Sequence, residues 1–115
     1  MYIYTKPDLT SNVSSFISCM RMFGGSNNEW YVGLTNNPKH SFLTIHNVDI
    51  LEIGWILSEK CPKHHIDFLK NYLTQIGCKN NPELDMKDAD QIYLYKINDR
   101  TREESLKTRK IENKA

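Results

Sequence analysis

Residues 30–48 read WYVGLTNNPKHSFLTIHNV, and this stretch decides the fold. Apolar side chains alternate at its start, which predicts a strand over residues 29–35 with Tyr31 on the face opposite Trp30. An Asn-Pro pair follows and suits the cap and the first position of a helix. A helix is therefore predicted over residues 39–46, directly after the strand.

The sequence on either side predicts further elements from hydrophobic spacing and turn residues. These are strands over residues 1–5, 50–58 and 91–97, helices over residues 10–25 and 62–77, and a loop over residues 79–90. Alternation of strands and helices is typical of a parallel sheet. The short second helix and the small chain favour a compact α+β domain, with helices packed on a small sheet, at least as strongly.

Composition limits the class of protein. With 115 residues, 39% hydrophobic and 25% charged, the chain is predicted to form one globular domain. The net charge of +1 does not indicate a strongly basic nucleic-acid binder, although a local basic patch is compatible with it. No apolar run reaches membrane-spanning length, and the three cysteines contain no C-x-x-C pair. We therefore expect a cytoplasmic protein with reduced thiols and no membrane partner.

The opening stretch resembles the central block of the GIY-YIG nuclease superfamily. In that block a strand ending in Tyr-Ile/Val-Gly is followed by Thr, a turn with Asp-Pro or a variant of it, an Arg-bearing helix and often His-Asn. The matching residues here are Tyr31-Val32-Gly33, Thr35, Asn37-Pro38 and His46-Asn47.

The resemblance covers residues 29 to 97. It implies an α+β fold with a small three-stranded or four-stranded antiparallel sheet flanked by helices. We expect one domain over residues 1–97, in which residues 1–28 form an N-terminal extension, followed by a charged helix or tail over residues 98–115.

Two departures from the family pattern bear on catalysis. Ser41 stands where the family has the helix arginine, and Lys70 stands where it has the metal-binding glutamate; Asp67 lies one turn earlier. The family's first signature motif, Gly-Ile-Tyr, has only Tyr2-Ile3-Tyr4 as a counterpart here, with Met1 in the glycine position. A lysine repels Mg²⁺, which prefers hard oxygen ligands, and serine cannot grip phosphate in the bidentate way of arginine. We therefore expect a retained fold without the family's chemistry.

This interpretation predicts a non-catalytic domain that binds nucleic acid or a protein partner and needs no cofactor. Its predicted binding residues are Tyr31, Gly33, Lys39, His40, Ser41, Trp55 and Lys70. One alternative is a divergent endonuclease that uses Mg²⁺ and the catalytic residues Tyr31, His40, His46 and Asp67. Another is a small phage or mobile-element inhibitor that docks on a host protein.

Several of these residues also have purely structural interpretations. Tyr31 suits a half-buried strand position, His46 suits a helix end, and Gly33 suits a close backbone approach. Cys61, His64, His65 and Cys78 are ligand types that zinc accepts, but their spacing matches no familiar zinc pattern. No metal site is predicted from them.

Overall fold

A computed structural model describes residues 9–48 and 56–104, with side chains from residue 13 onward. The predicted strand 1–5, the Tyr2–Tyr4 motif, Trp55 and the first residues of the predicted strand 50–58 lie outside this part. The described elements are α1 (Leu9–Phe23), β1 (Trp30–Thr35), α2 (Pro38–His40), β2 (Ile56–Lys60), α3 (Lys63–Gln75) and β3 (Gln91–Lys96). These elements confirm the α+β class.

The three described strands form one antiparallel sheet with β3 in the centre. Val32 of β1 and Leu57 of β2 both pair with Leu94 of β3, one on each side. Because β1 and β2 each run opposite to β3, they run parallel to one another without touching. The all-parallel sheet suggested by the strand–helix alternation is not formed in the described part, and the antiparallel prediction is confirmed.

One face of the sheet builds the main hydrophobic core. Trp30 of β1 and Leu94 of β3 are fully buried there against Phe16 of α1 and Leu69 of α3. Helix α1 ends at Phe23, and the next residue, Gly24, adopts a φ of +73° that favours glycine. Among residues 9–48 and 56–104, no helix is long and apolar enough to cross a membrane.

Helix α2 continues into a wider turn. Asn37 caps it by accepting the His40 N–H at 3.2 Å. The following π-helical turn, Ser41–Ile45, is closed by the His46 N–H, which donates to the Ser41 carbonyl at 3.0 Å. Asn47 then ends the segment with a φ of 54°. The helix predicted over residues 39–46 is therefore in the right place but is α-helical only in its first turn.

Candidate functional site

The second face of the sheet carries a buried cluster of aromatic side chains, which we call the tyrosine face. It consists of Tyr31, Tyr93 and Tyr95 from the strands, with Phe42 and His46 packed over them. The ring centroids of Tyr31 and Tyr95 lie 5.2 Å apart, and those of Tyr31 and His46 lie 4.5 Å apart. All three tyrosines are fully buried, so their ring faces are not available for stacking against a ligand.

His46 connects this face through hydrogen bonds at both ring nitrogens. Its Nδ1 lies 2.5 Å from the Arg102 carbonyl oxygen, which can only accept, so Nδ1 carries a hydrogen and donates. The same Nδ1 lies 2.8 Å from Tyr95 Oη, and Nε2 lies 2.6 Å from Tyr93 Oη. Because the ring is fully buried and held at both nitrogens, His46 serves here to position its neighbours.

The tyrosine hydroxyls are protonated groups in this environment. Burial is the largest cause that raises the pKa of Tyr31, Tyr93 and Tyr95 above the ordinary value of 10.0. A phenol must lose its proton before it can act as a base. The three hydroxyls are therefore suited to donating hydrogen bonds, as Tyr95 does to Glu103 Oε2 at 2.6 Å.

A cleft of about 590 Å³ opens beside the tyrosine face. Its lining residues are Tyr31, Lys70, Thr74, Cys78, Lys79, Asn80, Pro82 and Glu103. The Tyr31 hydroxyl accepts the Asn81 backbone N–H at 3.1 Å, which fixes it against the loop that follows Lys79. Lys79 itself is anchored on the edge of β1, since its N–H donates to the Trp30 carbonyl at 2.8 Å.

Lys70, which lines the cleft, forms an ion pair with Asp85. Lys70 Nζ donates to Asp85 Oδ2 at 2.7 Å, with 22% and 10% of the two side chains exposed. Asp85 Oδ1 also accepts the Leu34 backbone N–H at 3.0 Å, and Asn80 Nδ2 lies 3.3 Å from both carboxylate oxygens. Asp85 therefore joins α3, β1 and the loop 79–90 at a single point.

The structure brings some of the predicted site residues together. Tyr31 and Lys70 line the same cleft. Ser41 does not line this cleft; it is buried and donates to Thr35 Oγ1 at 2.9 Å. A Cβ on Gly33 would overlap the ring of Tyr93, which agrees with the close approach predicted for this glycine.

The other predicted site residues lie elsewhere. Lys39, His40 and Asp67 are exposed and do not line the cleft, and Trp55 falls outside the described residues. Sequence reasoning missed Asp85 and Glu103 as site residues. Only their acidic character marked them, and they share it with several neighbours.

The residues in the cleft wall do not fit the Mg²⁺ ion implied by the family resemblance. The position expected to carry the metal-binding carboxylate holds the Lys70 ammonium, and the nearby carboxylate of Asp85 is already paired with it. A cation in the binding position opposes a second cation.

The cysteine and histidine residues near α3 have other partners. His64 and His65 contact each other edge to face, and the Cys78 thiol donates to Met20 Sδ at 3.8 Å. Burial raises the pKa of Cys61 and Cys78 to about 11. Within the described ranges, no group of three or more His, Cys, Asp or Glu side chains is arranged to hold a metal ion.

The chain matches no family model, and comparison with curated proteins and with solved structures also gives no match.

Proposed function

We propose that this chain is a non-catalytic, GIY-YIG-like binding domain that contacts the phosphate backbone of a nucleic acid in the cleft beside Tyr31. The observation that carries the proposal is the 2.7 Å ion pair between Lys70 and Asp85. By the alignment that the resemblance implies, this pair stands where a phosphodiesterase of the resembled family would need a free carboxylate. Such a pair is compatible with the fold but not with hydrolysis.

The protonated tyrosines support the absence of catalysis. Hydrolysis of a phosphodiester needs an activated nucleophile and compensation for the charge that develops on phosphorus. Tyr31 is buried with a raised pKa, and His46 is fully enclosed by its hydrogen-bond partners. Neither group is placed to take a proton from water in the cleft.

Lys79 supports backbone binding. Its main chain is fixed to β1 on both sides, because its N–H donates to Trp30 and its carbonyl accepts the Val32 N–H at 2.9 Å. The side chain is exposed on the cleft wall, next to the amide of Asn80. An ammonium donates hydrogen bonds to phosphate oxygens, whereas the Asn80 side-chain amide already donates to the Val32 carbonyl at 2.8 Å and to Asp85. Since the tyrosine rings are buried, recognition should depend on charge and not on base identity.

Fluorescence anisotropy with labelled single-stranded and duplex oligonucleotides tests this proposal. Lys79→Gln should weaken binding and lower the slope of log K against log salt by about 0.7–0.9, the value for one lost phosphate contact. Lys87→Gln is the matched control, since Lys87 is an exposed lysine of the same loop that does not line the cleft. Absence of binding at low salt, or equal effects of the two substitutions, would refute backbone binding in this cleft.

A plasmid-nicking assay with Mg²⁺ tests the nuclease alternative. We expect no turnover. Metal-dependent nicking that is lost in both Tyr31→Phe and Asp67→Ala would replace the proposal with a divergent nuclease.

A pull-down from host lysate, with and without nuclease digestion, tests the inhibitor alternative. A specific host protein that stays bound after digestion, together with no oligonucleotide binding, would favour a protein partner.

A further inference from the structure

The chain folds back over its own tyrosine face after β3. We call residues 98–104 the C-terminal strap. The Arg102 N–H donates to the His46 carbonyl at 2.8 Å, and Asn47 Nδ2 donates to the Arg100 carbonyl at 3.0 Å. Asn81 Nδ2 donates to the Glu103 carbonyl at 3.1 Å. The strap is therefore attached at several points along its length, from the π-helical turn to the cleft.

Glu103 carries the strap into the cleft. Its Oε2 accepts the Tyr95 hydroxyl at 2.6 Å, and its side chain lines the cleft together with Lys70 and Lys79. A carboxylate oxygen that accepts a hydrogen bond from a buried hydroxyl beside two lysines makes the contacts expected of an anionic ligand. The carboxylate thus occupies a place that suits a phosphate oxygen.

The balance of charges in the cleft also indicates that Glu103 takes the place of an anionic ligand. Lys70 is neutralised by Asp85, which leaves Lys79 and Glu103 as the opposing charges among the lining residues. With Glu103 in place these two charges cancel. With Glu103 displaced, the cleft gains one net positive charge and attracts an anion more strongly.

Most of the strap is held without apolar burial. Asn98, Asp99, Arg100 and Arg102 are exposed, and the contacts given above are hydrogen bonds. Segments with few buried apolar contacts open at a small fraction of the global unfolding free energy. Opening of the strap is therefore expected to cost less than unfolding of the sheet and helices.

We infer that the C-terminal strap is an autoinhibitory segment, in which Glu103 occupies the cleft as an internal substitute for the anionic backbone of the ligand. Binding of a nucleic acid displaces the strap, and the strap lowers the apparent affinity because the Glu103 carboxylate lines the same cleft and repels the phosphate charge. This inference rests on the proposed function, because it assumes that the ligand of the cleft is a phosphate backbone.

Hydrogen exchange measures strap opening without any ligand. Glu103→Ala should raise the exchange rate of the strap amides by about tenfold or more, because a hydrogen bond to a charged group is lost, and Glu103→Gln should give a smaller increase. Asp99→Asn is the matched control, since it removes the same charge from an exposed residue of the strap. Equal exchange rates in Glu103→Gln, Glu103→Ala and the control would refute an anchoring role for Glu103. If Glu103→Ala does not fold, Glu103→Gln against the control decides alone.

Oligonucleotide binding by the full chain then tests competition. Glu103→Gln should tighten binding about fivefold or more, within the usual range of coupling between sites. Asp99→Asn should leave binding within about twofold, because exposed charges contribute little. In the unsubstituted protein, the oligonucleotide should speed exchange of the strap amides.

The outcomes separate the two proposals. Equal affinity in Glu103→Gln, Asp99→Asn and the unsubstituted chain, or strap exchange that the oligonucleotide leaves unchanged, would overturn autoinhibition while leaving backbone binding intact. Absence of oligonucleotide binding in all of these proteins would refute the proposed function itself. Binding by every one of these proteins that is tightest in Glu103→Gln would support both.

Discussion

Replacing Asp85 by alanine should destabilise the protein much more than replacing its ion-pair partner Lys70 by methionine. If the 2.7 Å ion pair were the whole interaction, both substitutions would cost about the same. Asp85 has a second role, because its carboxylate also accepts the Leu34 N–H and lies within reach of Asn80 Nδ2. Among the described residues, the Lys70 ammonium has Asp85 as its hydrogen-bond partner.

The expected magnitudes follow from these contacts. The Lys70 side chain is 22% exposed, so its ion pair is partly solvated and should contribute about 1 kcal/mol. Methionine keeps most of the apolar stem and leaves Asp85 with its other two donors. Asp85→Ala removes the ion pair and leaves the N–H of buried Leu34 without its acceptor, which adds about 1.5–3 kcal/mol for a bond to a charged group. The total loss should be about 3 kcal/mol.

Urea denaturation followed by tryptophan fluorescence measures both values. Asp88→Ala is the control, because Asp88 is an exposed carboxylate of the same loop that accepts from exposed Asn36 at 2.7 Å. Asp88→Ala should lower the free energy of unfolding by no more than about 0.5 kcal/mol. A second role for Asp85 is refuted if Lys70→Met lowers stability as much as Asp85→Ala does, or if Asp85→Ala lowers it no more than the control.

Three further outcomes concern the tyrosine face. Gly33→Ala should cost about 1–3 kcal/mol, because its Cβ would overlap the ring of Tyr93, and an unchanged thermal midpoint would contradict that contact. Tyr95→Phe should cost about 1–3 kcal/mol in chemical denaturation, since Glu103 loses a hydroxyl donor; a neutral result would show that the carboxylate is not held there. In an alkaline absorbance titration of the folded protein, Tyr31, Tyr93 and Tyr95 should stay protonated above pH 10, because burial raises the pKa of each above 10.0. The free energy of unfolding should keep its full value below about pH 10, where the phenols of the unfolded chain are also protonated, and should fall above that pH. Ionisation of all six tyrosines near pH 10 in the folded protein would contradict the burial of these three.

Local sequence patterns were enough to predict most described elements. Alternation in residues 30–35 placed Trp30 and Tyr31 on opposite faces, and the structure has them in separate buried clusters. Gly24 and Gly77 end their helices as predicted, each with a positive φ. These features are predictable because neighbouring residues determine them through strand and helix periodicity and through backbone freedom at glycine.

The candidate site was harder to predict because its contacts join distant parts of the chain. Leu34 and Asp85 are 51 residues apart, and the loop 79–90 holds other acidic residues that could have filled the same role. The charged composition of residues 98–115 suggested a solvated helix or tail. Residues 98–104 are not helical, and several of their contacts use backbone groups of Arg100 and Arg102, which leave no trace in a side-chain pattern.

The two lysines of the cleft therefore have different roles. Lys70 is neutralised by a carboxylate that also fastens β1, so its charge contributes to stability more than to ligand attraction. Lys79 is fixed through its main chain and keeps an exposed side chain. The opposing charge among the lining residues is on Glu103, which belongs to the hydrogen-bonded C-terminal strap. Affinity for a phosphate backbone should follow Lys79 and Glu103, because these are the charges among the residues lining the cleft that the Lys70–Asp85 ion pair does not neutralise.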